Sequence, residues 1–581
     1  MTSRVKINLL LVFFLVAFSM LILRASYWQI IRSEQLAIAA DQEHFQILEI
    51  PAVRGKIQSH DAITLVENKP SYILYANKHQ ISQDHTMVMD KIVPLLLEAS
   101  PLLATNSGEL ADYQKKFKEK LDSPLGIWVR LAVHLTPTVK EKIESQKIAG
   151  LSFVQNFDRD YLEASMAAHL LGFVGENDKG LPQGYFGVEG FYDKELSGKP
   201  GKFLEEMDAF GNPIVIGEVK KEEPVNGSNL ELSLDRSVQF FVEKYLAEGI
   251  GTWGAKGGTA IVLNPKDGEL IASVSFPNYD PNTFAFGQTV NFKDPMLSDL
   301  YEPGSIMKPL IMAAAINEEK LTPASRCPVC TGPVPIGEYF VHTFNNQYHP
   351  NLTMTEVLVN SDNTGMVYVG RTLGFAKLYD YLLRYGFSEK TGVDLEGETF
   401  VPLRPSSQWY PIDQATVTFG QGIAITPLQM IRAFSLLANK GELVTPHAVQ
   451  IIRTEKDTKL LTRPAGRRII SETTAKVLTE MLIHVANESP LHFPKERTPG
   501  LEKFRIAAKS GTAQVPIAGH YEQGRTIGSV IGFAPADDPK FLVMVKLDSP
   551  TVRPWGSDTA GPVFFKIVAE LLNYYNITPT E

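Results

Sequence analysis

Tyr301-Glu302-Pro303-Gly304-Ser305-Ile306-Met307-Lys308-Pro309 is the stretch on which the reading of this chain turns. Pro303-Gly304 is a turn signal, and the apolar run that follows starts a helix. Pro309 gives up one helical hydrogen bond, a loss that the first turn tolerates. Residues three apart share a helix face, so Lys308 is expected to reach the hydroxyl of Ser305. A serine hydroxyl is a weak nucleophile and needs a base. A lysine can be that base only where desolvation or neighbouring cations lower its pKa. Alone, the pattern S-x-x-K fits equally well a helix N-cap followed by a surface lysine.

Two further motifs follow in order. In Ser361-Asp362-Asn363 the serine can relay a proton between a leaving amine and a lysine, and the Asn363 amide offers both a donor and an acceptor to a peptide backbone. Lys509-Ser510-Gly511-Thr512 follows Phe504-Arg505-Ile506-Ala507-Ala508, a strand by pattern. There Lys509 supplies positive charge that depresses a neighbouring amine and attracts a carboxylate, Gly511 lets a backbone approach, and the Thr512 N–H can donate to an oxyanion. Each motif has an ordinary reading as a polar loop or a strand end. The ordered set S-x-x-K, S-D-N and K-[ST]-G is the pattern of active-site serine enzymes that recognise penicillin.

Working outward, the chain has 581 residues, enough for several domains, and 44% hydrophobic residues, enough for real cores. A net charge of −9 argues against nucleic-acid binding as its main task. Ile7 to Leu23 is broken only by Asn8 and Ser19, and extension to Trp28 gives a stretch long enough to span a bilayer, with Tyr27 and Trp28 at an interface. Arg4 and Lys6 precede it, which places the N-terminus in the cytoplasm and the bulk outside, in a periplasm or an equivalent extracytoplasmic space. Leu23-Arg24-Ala25-Ser26 is a poor cleavage site, so an uncleaved anchor is expected rather than a signal peptide.

Residues 29–225 are turn-rich and irregular, and Lys220 to Ser228 reads as a linker. Asp235 to Ile250 has helical spacing. Thr259–Leu263 and Glu269–Ser275 flank one hairpin signal, and Ser529–Phe533 and Phe541–Leu547 flank another. The chain closes on an amphipathic stretch, Pro562 to Tyr575. The expected fold is α+β: a tail (1–6), an anchor (7–28), a pedestal (29–225) and a domain (226–581) in which one antiparallel sheet is built from both ends around a helical middle.

Cys327 and Cys330, the only cysteines, form C-x2-C-x11-H-x6-H with His342 and His349. Three states fit the spacing: a local disulfide, favoured outside the cytoplasm, a zinc site, or two free thiols. Arg525 and the segment from Gln514 to Gly524, with His520, either line a second side of the site or form a solvated loop. Trp555-Gly556-Ser557 lies in a loop before the last helix.

With these motifs in place, the chain resembles the class B penicillin-binding proteins over nearly its whole length. Arg54-Gly55-Lys56-Ile57, Arg159-Asp160-Tyr161, Ala168-His169-Leu170-Leu171-Gly172 and Gly187-Val188-Glu189-Gly190 are similar to that family's N-terminal motifs. So is Leu196-Ser197-Gly198-Lys199-Pro200-Gly201. Pro277-Asn278-Tyr279-Asp280-Pro281-Asn282 and Phe419-Gly420-Gln421-Gly422-Ile423 are similar to its transpeptidase landmarks, and the form around Ser305 and Gly420 is closer to the cell-division (septal) branch than to the elongation branch. Leu162 stands where the family often has proline, and Asp362 where class B members more often have serine; an aspartate there is also the β-lactamase form.

The resemblance implies a β-lactamase-like transpeptidase domain. Ser305 would attack a D-Ala-D-Ala stem peptide with Lys308 as base, and Ser361 and Lys509 would manage the leaving amine's proton. Ser510, Gly511 and Thr512 would hold the terminal carboxylate and Asn363 would align the peptide. It implies no cofactor, β-lactams as ligands, and a membrane-embedded glycan polymerase and other division proteins as partners. Two other functions fit the same residues: a serine enzyme that hydrolyses or senses β-lactams, and a division scaffold in which catalysis is secondary.

Overall fold

The computed structural model describes residues 3–33, 45–78, 80–81, 84–99, 107–123, 128–178, 180–206, 219–517 and 520–579. Ser3–Ser26 is an α-helix continued by a π-helical turn, Tyr27–Ile31. No residue of the α-helix is buried, and Ser3–Ile31 is long and apolar enough to cross a membrane. The helix starts before Ile7, so Arg4 and Lys6 lie in its first turns rather than in a separate tail.

The chain forms two compact units. One comprises Met1–Arg54, Lys69–Asp158 and Gly198–Gly227, and the other Gly55–Asn68, Arg159–Ser197 and Ser228–Glu581. A single cut near residue 225 therefore does not describe the division. Ile57-Gln58 goes with the second unit because it pairs in parallel with Leu230-Glu231. Arg159 goes with it because its buried guanidinium bonds Glu189 at 2.6 Å and the Gly55 carbonyl at 2.7 Å. The expected linker is partly ordered: Val219–Glu222 is a strand antiparallel to Gly201–Glu206.

In the first unit, Tyr72–Asn77 pairs antiparallel with Trp128–Leu135. Val88, Ile92 and Leu96 of helix His85–Ala99 pack with Val139 and Ile143 of helix Pro137–Ser145 around Leu74, Phe117 and Leu131.

The second unit is built around five antiparallel strands. Helix α1 (Arg236–Trp253) is capped by Asp235, whose carboxylate accepts from Ser237 N and Val238 N. Strands β1 (Gly257–Leu263) and β2 (Leu270–Phe276) form the first hairpin. A helical lobe follows, with α2 (Lys308–Asn317), α3 (Asn363–Leu373), α4 (Pro427–Ala438) and α5 (Glu472–Glu488). The chain then returns through β3 (Ala507–Ile517), β4 (His520–Ala534), β5 (Phe541–Asp548) and helix α6 (Gly556–Tyr574). The sheet order is β2-β1-β5-β4-β3, so both ends of the domain meet where β1 pairs β5.

β1 is buried at every residue, because α1 and α6 cover one face of the sheet and the helical lobe the other. The edge strand β2 is protected by Gln239 of α1, which is fully buried: its amide accepts from Ser273 N and donates to Ser273 O. Helix α2 is buried from Lys308 to Ala315, as expected of a helix apolar on every side.

Asp394 organises a second buried polar cluster. It accepts from Tyr192 OH at 2.7 Å, Arg463 Nη2 at 2.6 Å, Ala448 N at 2.6 Å and Val449 N at 3.1 Å. Asp394→Ala strands a guanidinium, a phenol and two backbone donors, and should cost about 3–5 kcal/mol. Chemical denaturation of the full chain in detergent checks this. A loss below about 1 kcal/mol would show that the cluster is not a structural anchor.

Candidate active site

Ser305 lies in a 3-10 turn, Gly304–Met307, that runs directly into α2. Two close approaches hold the turn. Gly420 has φ +80°, and a Cβ there would lie 2.1 Å from the Gly304 carbonyl oxygen, so only glycine lets the 417–422 turn back the nucleophile loop. A Cβ on Gly511 would fall 3.0 Å from Ile306 Cγ2 and 3.1 Å from Pro303 O. Tyr301 and Ile425 exchange backbone hydrogen bonds of 3.0 Å on the approach to the turn.

α3 begins at Asn363, with Asp362 as its cap: the buried carboxylate accepts from Gly365 N at 2.9 Å and the Thr364 hydroxyl at 2.6 Å. That capping role accounts for an acid in the second motif. Ser361, just outside the helix, has φ +51°, which turns both its carbonyl and its hydroxyl toward Lys308. Opposite lies β3, which is the edge strand of the sheet and pairs with β4 on one side.

The first lysine bonds Ser361 O at 2.5 Å, Asn363 Oδ1 at 2.8 Å and Ser361 Oγ at 3.2 Å. The second, Lys509, bonds Ser361 Oγ at 3.1 Å and Ser510 O at 2.8 Å. One hydroxyl thus stands between two lysine nitrogens. Both lysines are buried. Burial, then the Lys509 charge, pushes the Lys308 pKa well below its ordinary value, against the pull of Asp362. Burial lowers Lys509 to about 7. A lysine in this condition can hold or give up a proton near neutral pH.

Among the described residues, no hydrogen bond joins Lys308 to the Ser305 hydroxyl. All three donors of the desolvated Lys308 ammonium go to Ser361 and Asn363, and Ser305 Oγ makes no hydrogen bond among the described residues. On losing a proton, Lys308 has a lone pair to offer Ser305. Thr512 Oγ1 accepts from Gly556 N at 2.9 Å, which leaves its hydroxyl proton available to an incoming anion. The structure therefore brings Ser305, Lys308, Ser361, Asn363, Lys509 and Gly511 into one cleft, with Ser510 and Thr512 on the same strand. Two contributors escaped the sequence reading. The His342 carbonyl accepts from Asn363 Nδ2 at 3.0 Å, and Phe344 meets Trp555. Backbone acceptors and loop-to-loop ring contacts leave no motif.

Cys327 and Cys330 form a disulfide. The zinc alternative with His342 and His349 is corrected: both sulfurs are bonded to each other, His342 Nδ1 shares a 3.0 Å hydrogen bond with Tyr348 OH, and among the described residues no three metal-binding side chains are grouped. Of the segment 514–524, Gln514 lies on β3, but residues 518–519 and the side chains of 516–524, His520 included, lie outside the described residues.

Comparison with known proteins agrees over both units. The model of the penicillin binding protein transpeptidase domain matches residues 258–569, and that of the penicillin-binding protein dimerisation domain residues 49–232. The chain is 29% identical to Stage V sporulation protein D of Bacillus subtilis over 100% of its own length and 87% of that protein. It is 28% identical to the probable peptidoglycan D,D-transpeptidase PenA of Neisseria meningitidis, over 100% of this chain and 94% of the other. Its fold is like that of a peptidoglycan synthetase from Bifidobacterium adolescentis, with a TM-score of 0.73 at 24% identity, covering 92% of this chain and 98% of that one.

Proposed function

The chain belongs to the penicillin-binding proteins, with the dimerisation and transpeptidase modules of the class B type, and from that premise we propose how its residues divide the work of acyl transfer. It is a membrane-anchored serine-type peptidoglycan D,D-transpeptidase. Neutral Lys308 takes the proton of Ser305 as Oγ attacks the penultimate carbonyl of a D-Ala-D-Ala stem peptide. The backbone N–H groups of Ser305 and Thr512 hold the oxyanion. The Ser361 hydroxyl, between the two lysines, passes a proton to the departing amine, the C–N bond breaks, and D-alanine leaves. The ester on Ser305 is then attacked by an amine of a neighbouring stem peptide. The new amide forms, the amine's proton returns through the same groups, and Ser305 is regenerated. Lys509, Ser510 and Thr512 receive the donor's terminal carboxylate, and Asn363 aligns its backbone. Side chains and backbone fill each of these roles, so the scheme calls for no metal or cofactor.

The observation that carries this reading is the buried Lys308–Ser361–Lys509 relay beside Ser305. Arg4 and Lys6 before the apolar helix support a cytoplasmic N-terminus with the bulk outside. The sequence forms around Ser305 and Gly420 support a septal role, with a glycan polymerase and other division proteins as partners.

A time course with a fluorescent penicillin tests the assignment. The label should form on purified full-length protein and persist for many minutes, and in intact cells a label that does not cross the inner membrane should reach it. A label lost within seconds would make the protein a hydrolase. Absence of any label on folded protein would sink the catalytic assignment and favour a scaffold.

A further inference from the structure

Among the described residues, two charged side chains are buried within the five strands, Lys509 and Lys546. Acyl transfer as set out above uses the first and has no part for the second. Burying an ammonium in a sheet costs stability, and an apolar side chain of similar shape would avoid that cost. Lys546 Nζ bonds Asp548 Oδ1 at 2.5 Å and lies 4.0 Å from Asp299 Oδ2. It also stands over the Tyr301 ring, 5.6 Å from the centroid, within reach of a cation–π contact. Tyr301 is itself buried, and its hydroxyl makes no hydrogen bond among the described residues. The ring face, rather than the hydroxyl, is what Lys546 engages.

Strand register connects this contact to the nucleophile. Gly511 of β3 stands opposite Ser529 of β4, and Ser529 stands opposite Lys546 of β5. With neighbouring strands about 4.8 Å apart, Lys546 lies about 10 Å from Gly511 on one line across the sheet. A Cβ on Gly511 would fall 2.8 Å from Ser529 Oγ, and it would also crowd Ile306 and Pro303. Pro303 and Ile306 therefore lie over Gly511, while Tyr301 lies over Lys546, so the segment entering the nucleophile turn crosses the sheet along this row. Beside it, Tyr301 and Ile425 exchange backbone hydrogen bonds, and Gly304 N donates to Gly420 O at 2.9 Å. Those bonds fix the segment against residues 420–425, and the Lys546 contact fixes its seat on the sheet.

We propose that Lys546 is a positioning residue for acyl transfer: its ammonium, tethered by Asp548, seats the Tyr301 ring on the sheet and so sets the place of Ser305 four residues on. The inference rests on the assignment of Ser305 as the acylated residue. A cation–π contact shielded from water is equivalent to about thirtyfold in an equilibrium, and one near the surface to about fivefold. A shift of about 1 Å in a reacting group slows the chemical step about 100-fold. Loss of the contact therefore falls on the attack by Ser305, whereas the strand β3 that is proposed to receive the donor's carboxylate is left in place.

The experiment follows acylation of the full-length protein in detergent by benzylpenicillin over a range of concentrations, which separates the first-order acylation constant from the dissociation constant of the reversible complex. Lys546→Met keeps the length of the side chain and removes its charge. It should lower the acylation constant about 5- to 30-fold and leave the dissociation constant within about twofold. Asp299 and Asp548, which lose their cation, are 51% and 26% exposed and reach solvent, so the melting temperature should stay within a few degrees of the parent's. Tyr301→Leu removes the ring and leaves the ion pair whole. It should match Lys546→Met, and it carries the same test whether or not that variant folds. The double variant should be no slower than either single one, because both remove one contact. Tyr301→Phe, which keeps the ring face, should restore the parent constant. An unchanged acylation constant, a loss confined to the dissociation constant, additive losses, Tyr301→Phe as slow as Tyr301→Leu, or a rate loss matched by a fall in melting temperature would each overturn the positioning role. Mass analysis locating the penicilloyl group on Ser305 of the parent reports separately on the catalytic assignment, so failure of that assignment is distinguishable from failure of this inference.

Discussion

Ser305→Ala should abolish covalent labelling by penicillin, with a fall in acylation rate of at least about 10,000-fold, while reversible binding of the drug survives. The two outcomes separate because the groups proposed to hold the carboxylate, Lys509, Ser510 and Thr512, sit on β3, whereas the nucleophile sits in the turn before α2. The turn owes its shape to Gly304, Gly420 and Gly511 rather than to the serine side chain, and among the described residues Ser305 Oγ makes no hydrogen bond that alanine would lose. The variant should therefore fold and melt as the parent does. Mass analysis of the labelled protein, beside a displacement assay with unlabelled penicillin, reads both. Undiminished labelling would move the nucleophile elsewhere, to Ser361 or Ser510. Normal septation supported by Ser305→Ala would transfer the main function to scaffolding.

Lys308→Met should be the next most severe change, lowering acylation about 100- to 10,000-fold, since it removes the proposed base and one side of the relay. Methionine matches the buried stem and removes a desolvated amine, but it leaves the Ser361 carbonyl and Asn363 Oδ1 without their donor, so a loss of stability of no more than about 1–3 kcal/mol is expected. The pH profile gives the sharper test. A lowered pKa means that the proton is lost at lower pH, so the rate should climb with pH as Lys308 becomes neutral, below the range of an ordinary lysine. Lys509 loses its charge near about 7, so capture of an anionic donor by the free enzyme should weaken above that pH. A bell is expected, and Lys509→Arg should carry its descending limb to higher pH, because a guanidinium stays charged. A monotonic rise through pH 9 in the parent would remove Lys509 from carboxylate capture.

Much of the catalytic domain was legible because its parts are local. The hairpin between Leu263 and Glu269, the helix beginning near Asp235 and the turn before Ser305 are each set by a few adjacent residues, and the structure has all three, with Asp235 as the helix cap rather than its first residue. The sheet closed from both ends followed from strand signals near the two ends of the domain. What failed to read was long-range. The grouping of 55–68 and 159–197 with the C-terminal unit depends on pairing across more than a hundred residues, which no window of sequence displays. The partners of Lys308 were misjudged because helical spacing gives proximity, whereas a buried ammonium chooses acceptors by their number and lone pairs. The cysteine spacing allowed three states, and the bond between the two sulfurs, which no spacing displays, decided among them.

The meeting of β1 with β5 also has a cost during synthesis. About 280 residues separate the two strands, and at roughly 5–20 residues per second the first is made about a quarter of a minute to a minute before its partner exists. Throughout that interval a seven-residue strand, apolar along most of its length, has one edge with no native neighbour. The nascent chain is therefore most prone to aggregate late, after most of its mass has emerged and before its last forty or so residues arrive. Truncation within β5 should yield insoluble protein rather than a smaller folded domain, and a holdase that shields apolar strands should matter most at that stage.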